Sequence, residues 1–121
     1  MSEIKSFRDL KVWQVGMSVV REIYALTDTL PKEEKYGLSD QMRRAAIAIP
    51  SNIAEGFGRS SAKDYAHFLA IAKGSAYELE TQVEICIMQN YFPREQAKMT
   101  FSDIESVEKM LTGLSKSLIS K

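Results

Sequence analysis

Cysteine is almost missing from this sequence: Cys86 is the single example among 121 residues. A lone thiol cannot close an internal disulfide. With no apolar leader segment at the start, it predicts a domain held by its own core in a reducing cytoplasm. Histidine is as scarce, His67 alone, which deprives the chain of the paired imidazoles that helical di-metal sites require. A surplus of one charge is also lacking: sixteen Lys and Arg balance sixteen Asp and Glu. The broad positive field that draws proteins to nucleic acid or anionic membrane is absent, so any such contact has to come from a local patch. No apolar run approaches the roughly 20 residues needed to cross a bilayer. There is no internal repeat and no low-complexity tract.

What the sequence does contain is apolar periodicity. Residues of the hydrophobic types make up 45% of the chain, enough for one continuous core, and one domain spanning 1–121 is expected. Four stretches repeat at the spacing of a helix, and none sustains the alternation of a strand. In the first, Val12, Gly16, Val19, Ile23, Leu26 and Leu30 form one stripe and Trp13, Met17, Val20 and Tyr24 a second beside it, which predicts a wide buried face ended by Pro31. The second is predicted to start near Ser39 as N-cap and to direct Leu38, Met42, Ala45, Ile49 and Ile53 inward. Pro50 falls inside that pattern, where a missing amide and a ring against the Ala46 carbonyl cost about 3 kcal/mol. A kink or an early end is expected there, with Gly56 or Gly58 as a left-handed C-cap.

Ser61, followed three residues later by Asp64, marks the start of a third helix running to about Asn90. Its inward row is Tyr65, Leu69, Ala72, Ala76, Leu79, Val83, Cys86 and Asn90. Pro93 is expected to open the fourth, with Ile104, Val107, Leu111, Leu114 and Leu118 facing the core. The fold class predicted is all-α, an up-down-up-down four-helix bundle with helix two kinked near Pro50. Val20, Tyr24, Ile71, Ile85, Ile87 and Met88 lie outside or beside the main stripes and suggest a second buried surface, hence self-association.

Candidate chemistry is thin. Cys86 and His67 are 19 residues apart on one helix, about 28 Å, and cannot form a dyad within one chain. Asp64 and His67 have the spacing of half a di-metal motif, but the second half is missing, so no metal or other cofactor is expected. Glu80 and Glu84, one turn apart, suit a solvated acidic face better than a catalytic pair. Ser60 and Lys63 have a Ser-x-x-Lys spacing without its companion motifs, and Gly56 and Gly58 lack the strand and third glycine of a dinucleotide loop. Gly58, Arg59, Ser60, Ser61 and Lys63 could hold an anion at a helix N-terminus, though a C-cap followed by an N-cap explains the same residues. Residues 31–63 carry six basic and four acidic side chains, whereas 64–90 carry one basic and four acidic.

One segment is distinctive. Gln41, Met42, Arg43, Arg44, Ala45 and Ala46, then Ile49, Pro50, Ser51, Asn52, Ile53, Ala54, Glu55 and Gly56, followed by Gly58 and Arg59, resemble the core motif of the 23S rRNA intervening sequence proteins. The likeness extends to Phe7, Leu10, Val12 and Trp13 at the opening, to Glu34, Tyr36, Gly37 and Leu38 in the first loop, and to Gly74, Ser75, Glu78, Leu79 and Glu80 in the third helix. Ala48 departs from the serine or valine more usual there. The resemblance implies an up-down-up-down bundle assembled into a ring, with pentamers typical. It also implies two settings: reading frames inside ribosomal RNA insertions, and accessory proteins of diversity-generating retroelements that bind nucleic acid and a reverse transcriptase.

Within such a bundle Ser51 and Asn52 are expected to donate to carbonyls freed by Pro50, and Glu55 to meet Arg43, Arg44 or Arg59. Gly74 and Ser75 are expected to permit a close neighbour mid-helix. The function predicted is a non-catalytic, homo-oligomeric assembly or adaptor module. The alternative is an RNA- or DNA-binding accessory protein, its basic patch composed by symmetry from Lys11, Arg43, Arg44, Arg59 and Lys63.

Overall fold

The computed structural model describes residues 3–119. Four helices occur among them, with no strand: α1 (Lys11–Thr27), α2 (Leu38–Phe57), α3 (Ala62–Met88) and α4 (Lys98–Ile119), with short 3-10 turns at Phe7–Asp9, Lys32–Glu34 and Arg94–Ala97. Each helix packs on the next in the chain, and α1 also packs on α4, so the four close around one core. Contacts along the pairs run in opposite order. Arg43 near the start of α2 bonds Thr27 at the end of α1, while Gly16, earlier in α1, faces Ile49 and Pro50. Likewise Met42 meets Cys86 and Gly56 meets Tyr65 and Phe68.

The core follows the stripes anticipated from spacing, with Phe92 and Ala97 of the α3–α4 connection added to them. Val19, Ile23, Met42, Ile49, Ile53, Leu69, Leu79, Val83, Ile104, Val107 and Leu111 are all buried. Burying a side chain of this size contributes about 1.5–3 kcal/mol, which is why a period of 3.6 is enough to specify a bundle. Several edges differ from expectation. The second stripe of α1 joins the core only in part: Trp13 and Val20 pack half-buried against it, while Met17 and Tyr24 are 44% and 40% exposed. Tyr65, Leu30, Leu38, Leu114 and Leu118 are half-buried, and Asn90 is exposed.

The ends of the helices also move. α2 starts after Gly37 rather than Ser39, because the Glu34 carboxylate accepts the free Leu38 amide at 3.2 Å. Tyr91 fixes Glu34 in place by donating its hydroxyl at 2.7 Å. Ser61 caps α3 as anticipated, accepting from the Asp64 amide at 3.1 Å. α3 ends at Met88, with Asn90 beyond it in the left-handed region at φ 62°. Pro93 precedes a 3-10 turn, and α4 itself begins at Lys98.

α2 does not stop at Pro50 but continues to Phe57. Pro50 is buried against α1, where Gly16 offers no side chain: a Cβ there would lie 3.3 Å from Ile49 and 3.7 Å from Pro50. Packing on both sides of the proline outweighs the local penalty. The left-handed cap is also absent, since Gly58 caps α2 at φ −81° and no glycine among the described residues has positive φ.

Candidate functional site

The central motif lies where α2 meets its two neighbours. Toward α1, Pro50, Ser51, Ala54 and Ile47 face Trp13, Met17 and Val20 across an open apolar groove. Toward α3, Gly56 is buried, and its missing Cβ explains the contact: a methyl there would sit 2.9 Å from Phe68 Cβ, 3.0 Å from Tyr65 Cδ1 and 3.1 Å from the Tyr65 carbonyl. Its glycine serves close approach, not a turn. Asn52 donates to the Ala48 carbonyl at 2.8 Å, so it does not serve the Ala46 carbonyl that Pro50 leaves without an amide. Ser51 is exposed at the groove. Glu55 pairs with Arg59 at 2.6 Å, one turn on, and not with Arg43 or Arg44.

The basic residues fall into two groups. Lys11 begins α1, at the end of the bundle where α2 finishes, the end that also carries Arg59 and Lys63; Arg43 and Arg44 are at the other end of α2, about 22 Å away by helical rise. The arginines are already engaged. Arg43 donates Nε to Thr27 Oγ1 at 2.8 Å, reaches Asp28 at 3.1 Å and lies over the Tyr24 ring at 4.4 Å. Arg44 pairs with Asp40 at 3.0 Å, and Arg59, besides Glu55, lies over Phe68 at 4.5 Å.

On α3 the small residues serve unequally. Ser75 and Glu78 face Gln41, Arg44, Ala45 and Ala48 of α2 across a shallow surface. Gly74, expected to meet a neighbour, has nothing within 4 Å of where its Cβ would be and points to solvent. It belongs to a second row, Ile71, Gly74, Glu78, Thr81, Ile85 and Met88, spaced by threes and fours on the side of α3 opposite its core row Leu69, Ala72, Ala76, Leu79, Val83 and Cys86. Ile71 is 40% and Met88 69% exposed. α3 thus also carries apolar side chains, Ile71, Ile85 and Met88, on the side away from its core row, with Gly74, Glu78 and Thr81 between them.

The remaining candidates do not come together. Cys86 is in the core with its Sγ 3.5 Å from Met42 Sδ, and burial, then Glu34, pushes the thiol up to about 11. His67 is exposed on the surface beside Phe68. No group of three or more His, Cys, Asp or Glu side chains able to hold a metal occurs among the described residues.

Glu80 is not on a freely solvated face. It is half-buried in a cleft between α3 and α4 that is also lined by Glu84, Glu105, Glu108, Tyr77 and Lys109. Burial, then the Glu80 carboxyl within hydrogen-bonding reach, pushes Glu108 up to about 8. Between α1 and α4, burial and then Asp103 push Glu22 up to about 7, against a weaker opposing bond from Thr100. Glu84 is held below the usual carboxylate range by a two-pronged bond from Arg94 at 2.6 and 3.1 Å. Sequence reasoning missed both acid pairs and the buried Gln82, whose Oε1 has no hydrogen-bond partner.

These features define an all-helical bundle protein whose unusual residues set the distances between helices and leave an apolar groove between α1 and α2 and single apolar side chains along α3 uncovered. The chain belongs to the 23S rRNA-intervening sequence protein family, whose model matches residues 8–113. It is similar in structure to a protein with unknown function from the S23 ribosomal protein family of Bacteroides thetaiotaomicron, with TM-score 0.80 and 27% identity over 87% of this chain and 98% of that one. No curated protein matches it in sequence. No helix of the described residues is long and apolar enough to cross a membrane.

Proposed function

We propose that this protein is a non-catalytic assembly module that closes head to tail into a homo-oligomeric ring, a pentamer by family resemblance, and presents that ring to a macromolecular partner. The observation that carries this reading is a pair of unlike surfaces, an apolar groove and a mixed row in which Ile71, Ile85 and Met88 flank Gly74, Glu78 and Thr81. One is the α1–α2 groove of Trp13, Met17, Val20 and Ile47; the other is the outward row of α3 through Ile71, Gly74 and Met88. A head-to-tail ring needs two unlike surfaces that fit each other, whereas a two-fold dimer needs one that fits itself. Gly74 leaves a notch in the α3 row where a side chain of the next copy can enter. The lone buried thiol suits a reducing cytoplasm.

Light scattering on the size-fractionated protein tests this reading. The expected result is a closed oligomer of fixed size, and a strict monomer at micromolar concentration overturns it. Ile47→Glu in the groove and Ile71→Glu on the α3 row are each expected to yield monomers. Mixing the two variants restores one good interface per pair, so a heterodimer that grows no further is expected. Variants that still assemble alone place the contact elsewhere.

A further inference from the structure

α4 packs mainly on α1 and α3, and on each side a carboxyl faces a carboxyl. Glu22 Oε1 and Glu108 Oε2 are fully covered and have no hydrogen-bond partner; the Glu22 carboxyl has Asp103 and the Thr100 hydroxyl within reach, and the Glu108 carboxyl has Glu80. Two ionised carboxylates in such contact repel, and a single proton held between them turns the repulsion into a hydrogen bond. Arg21 and Lys73 oppose the effect, but more weakly than burial and the facing carboxyl favour it. Beside Glu22 and Asp103 the charged neighbour is Arg21 of α1, with the Thr100 hydroxyl of α4. Around Glu80 and Glu108, α3 contributes Lys73, Tyr77 and Glu84, and α4 contributes Glu105 and Lys109. Lys73 donates to Thr112 Oγ1 at 2.6 Å, and Arg94 is committed to Glu84.

We propose that two shared carboxyl protons, one between Glu22 and Asp103 and one between Glu80 and Glu108, fasten α4 to α1 and α3, and that their release in mildly alkaline solution loosens α4 from the bundle. Both protons pass to solvent, leaving two paired dianions per chain. Glu22 and Glu108 titrate at about 7 and about 8 in the folded chain against the ordinary carboxylate value of 4.5. The folded state therefore binds more protons than the unfolded one from about pH 4.5 upward. The attachment is full below that window, weakens as pH rises through 7 and 8, and levels off above. The device is internal to one chain and does not depend on the ring.

Hydrogen exchange on the full-length chain at about pH 6 and about pH 9, corrected for intrinsic rates, tests it. Amides of 98–119 are expected to lose roughly tenfold or more of their protection relative to those of α2, a loss equivalent to about 1.4 kcal/mol. In the Glu22→Gln, Glu108→Gln double variant each amide donates to its partner at every pH, and the difference is expected to vanish. Equal protection of α4 at both pH values overturns the proposal, as does a wild-type pH response in the double variant. Carboxyl carbon NMR of the wild-type chain gives the same decision without substitution: midpoints for Glu22 and Glu108 near 4.5 overturn it, and midpoints near neutrality support it.

Discussion

Replacing Gly56 by alanine adds one methyl at the tightest point between α2 and α3. That methyl would lie 2.9 Å from Phe68 Cβ and 3.1 Å from the Tyr65 carbonyl oxygen. Neither can swing away, because one is the root of a side chain and the other is backbone. Restoring ordinary contact requires the helices to part by about 0.6 Å, since carbon pairs are comfortable only at about 3.5 Å and beyond. Parting them also disturbs the edge contact of Phe57 on Tyr65 and the stacking of Arg59 over Phe68. Overpacking of this kind costs about 1–3 kcal/mol. Alanine gains helix propensity of up to about 1 kcal/mol, less here because Gly56 is next to last in α2. The net expectation is a loss of about 1–2 kcal/mol, read by urea or thermal unfolding as a melting point lower by about 5 °C. Gly113→Ala is the control, since its Cβ has nothing within 4 Å; it is expected to stabilise by up to about 1 kcal/mol. If both alanines shift the midpoint in the same direction, the close approach at Gly56 is not what requires a glycine.

Three further expectations follow from single side chains. Cys86, fully buried with its thiol pushed up to about 11, is expected to resist iodoacetamide at pH 8 in the native protein; rapid labelling without denaturant refutes the placement. Asn90 holds φ 62°, so Asn90→Val is expected to cost about 1–2 kcal/mol in chemical denaturation, whereas Asn90→Gly stays within a few tenths of the wild type. Arg43→Ala is expected to lose about 1 kcal/mol, mostly through Thr27 and the Tyr24 ring because Asp28 is 81% exposed. Arg44→Ala, on the solvent side, is expected to change stability by less than about 0.5 kcal/mol, and a reversed order in thermal melts refutes the assignment.

What could be read from the sequence is what repeats along a helix or sits within one turn. The α3 core row and the Ser61 cap are of this kind, because both are set by neighbours three or four residues away. Spacing also tells which side of a helix a residue occupies, but not whether anything covers that side. Trp13, Met17, Val20 and Tyr24 form a genuine stripe, yet the groove that the first three border is open within one chain. The α2 cap is beyond such reading, since Glu34 is positioned by Tyr91, 57 residues away. The acid pairs are further still from local logic: Glu22 and Asp103 carry no mutual signal in sequence, and only the closure of α4 on α1 brings them together.

Pro50 shows how the two scales compete. Its local cost of about 3 kcal/mol is real, and a peptide of α2 alone is expected to break there. In the bundle, however, Ile49 and Ile53 are fully buried on either side of it, and Gly16 brings α1 against the ring. Two such side chains contribute about 3–6 kcal/mol on burial, as much as the proline removes or more. The helix continues because interrupting it would withdraw both from the core. The proline is thus retained at the cost of one amide bond, and what it offers in return is a rigid apolar surface at the α1–α2 groove.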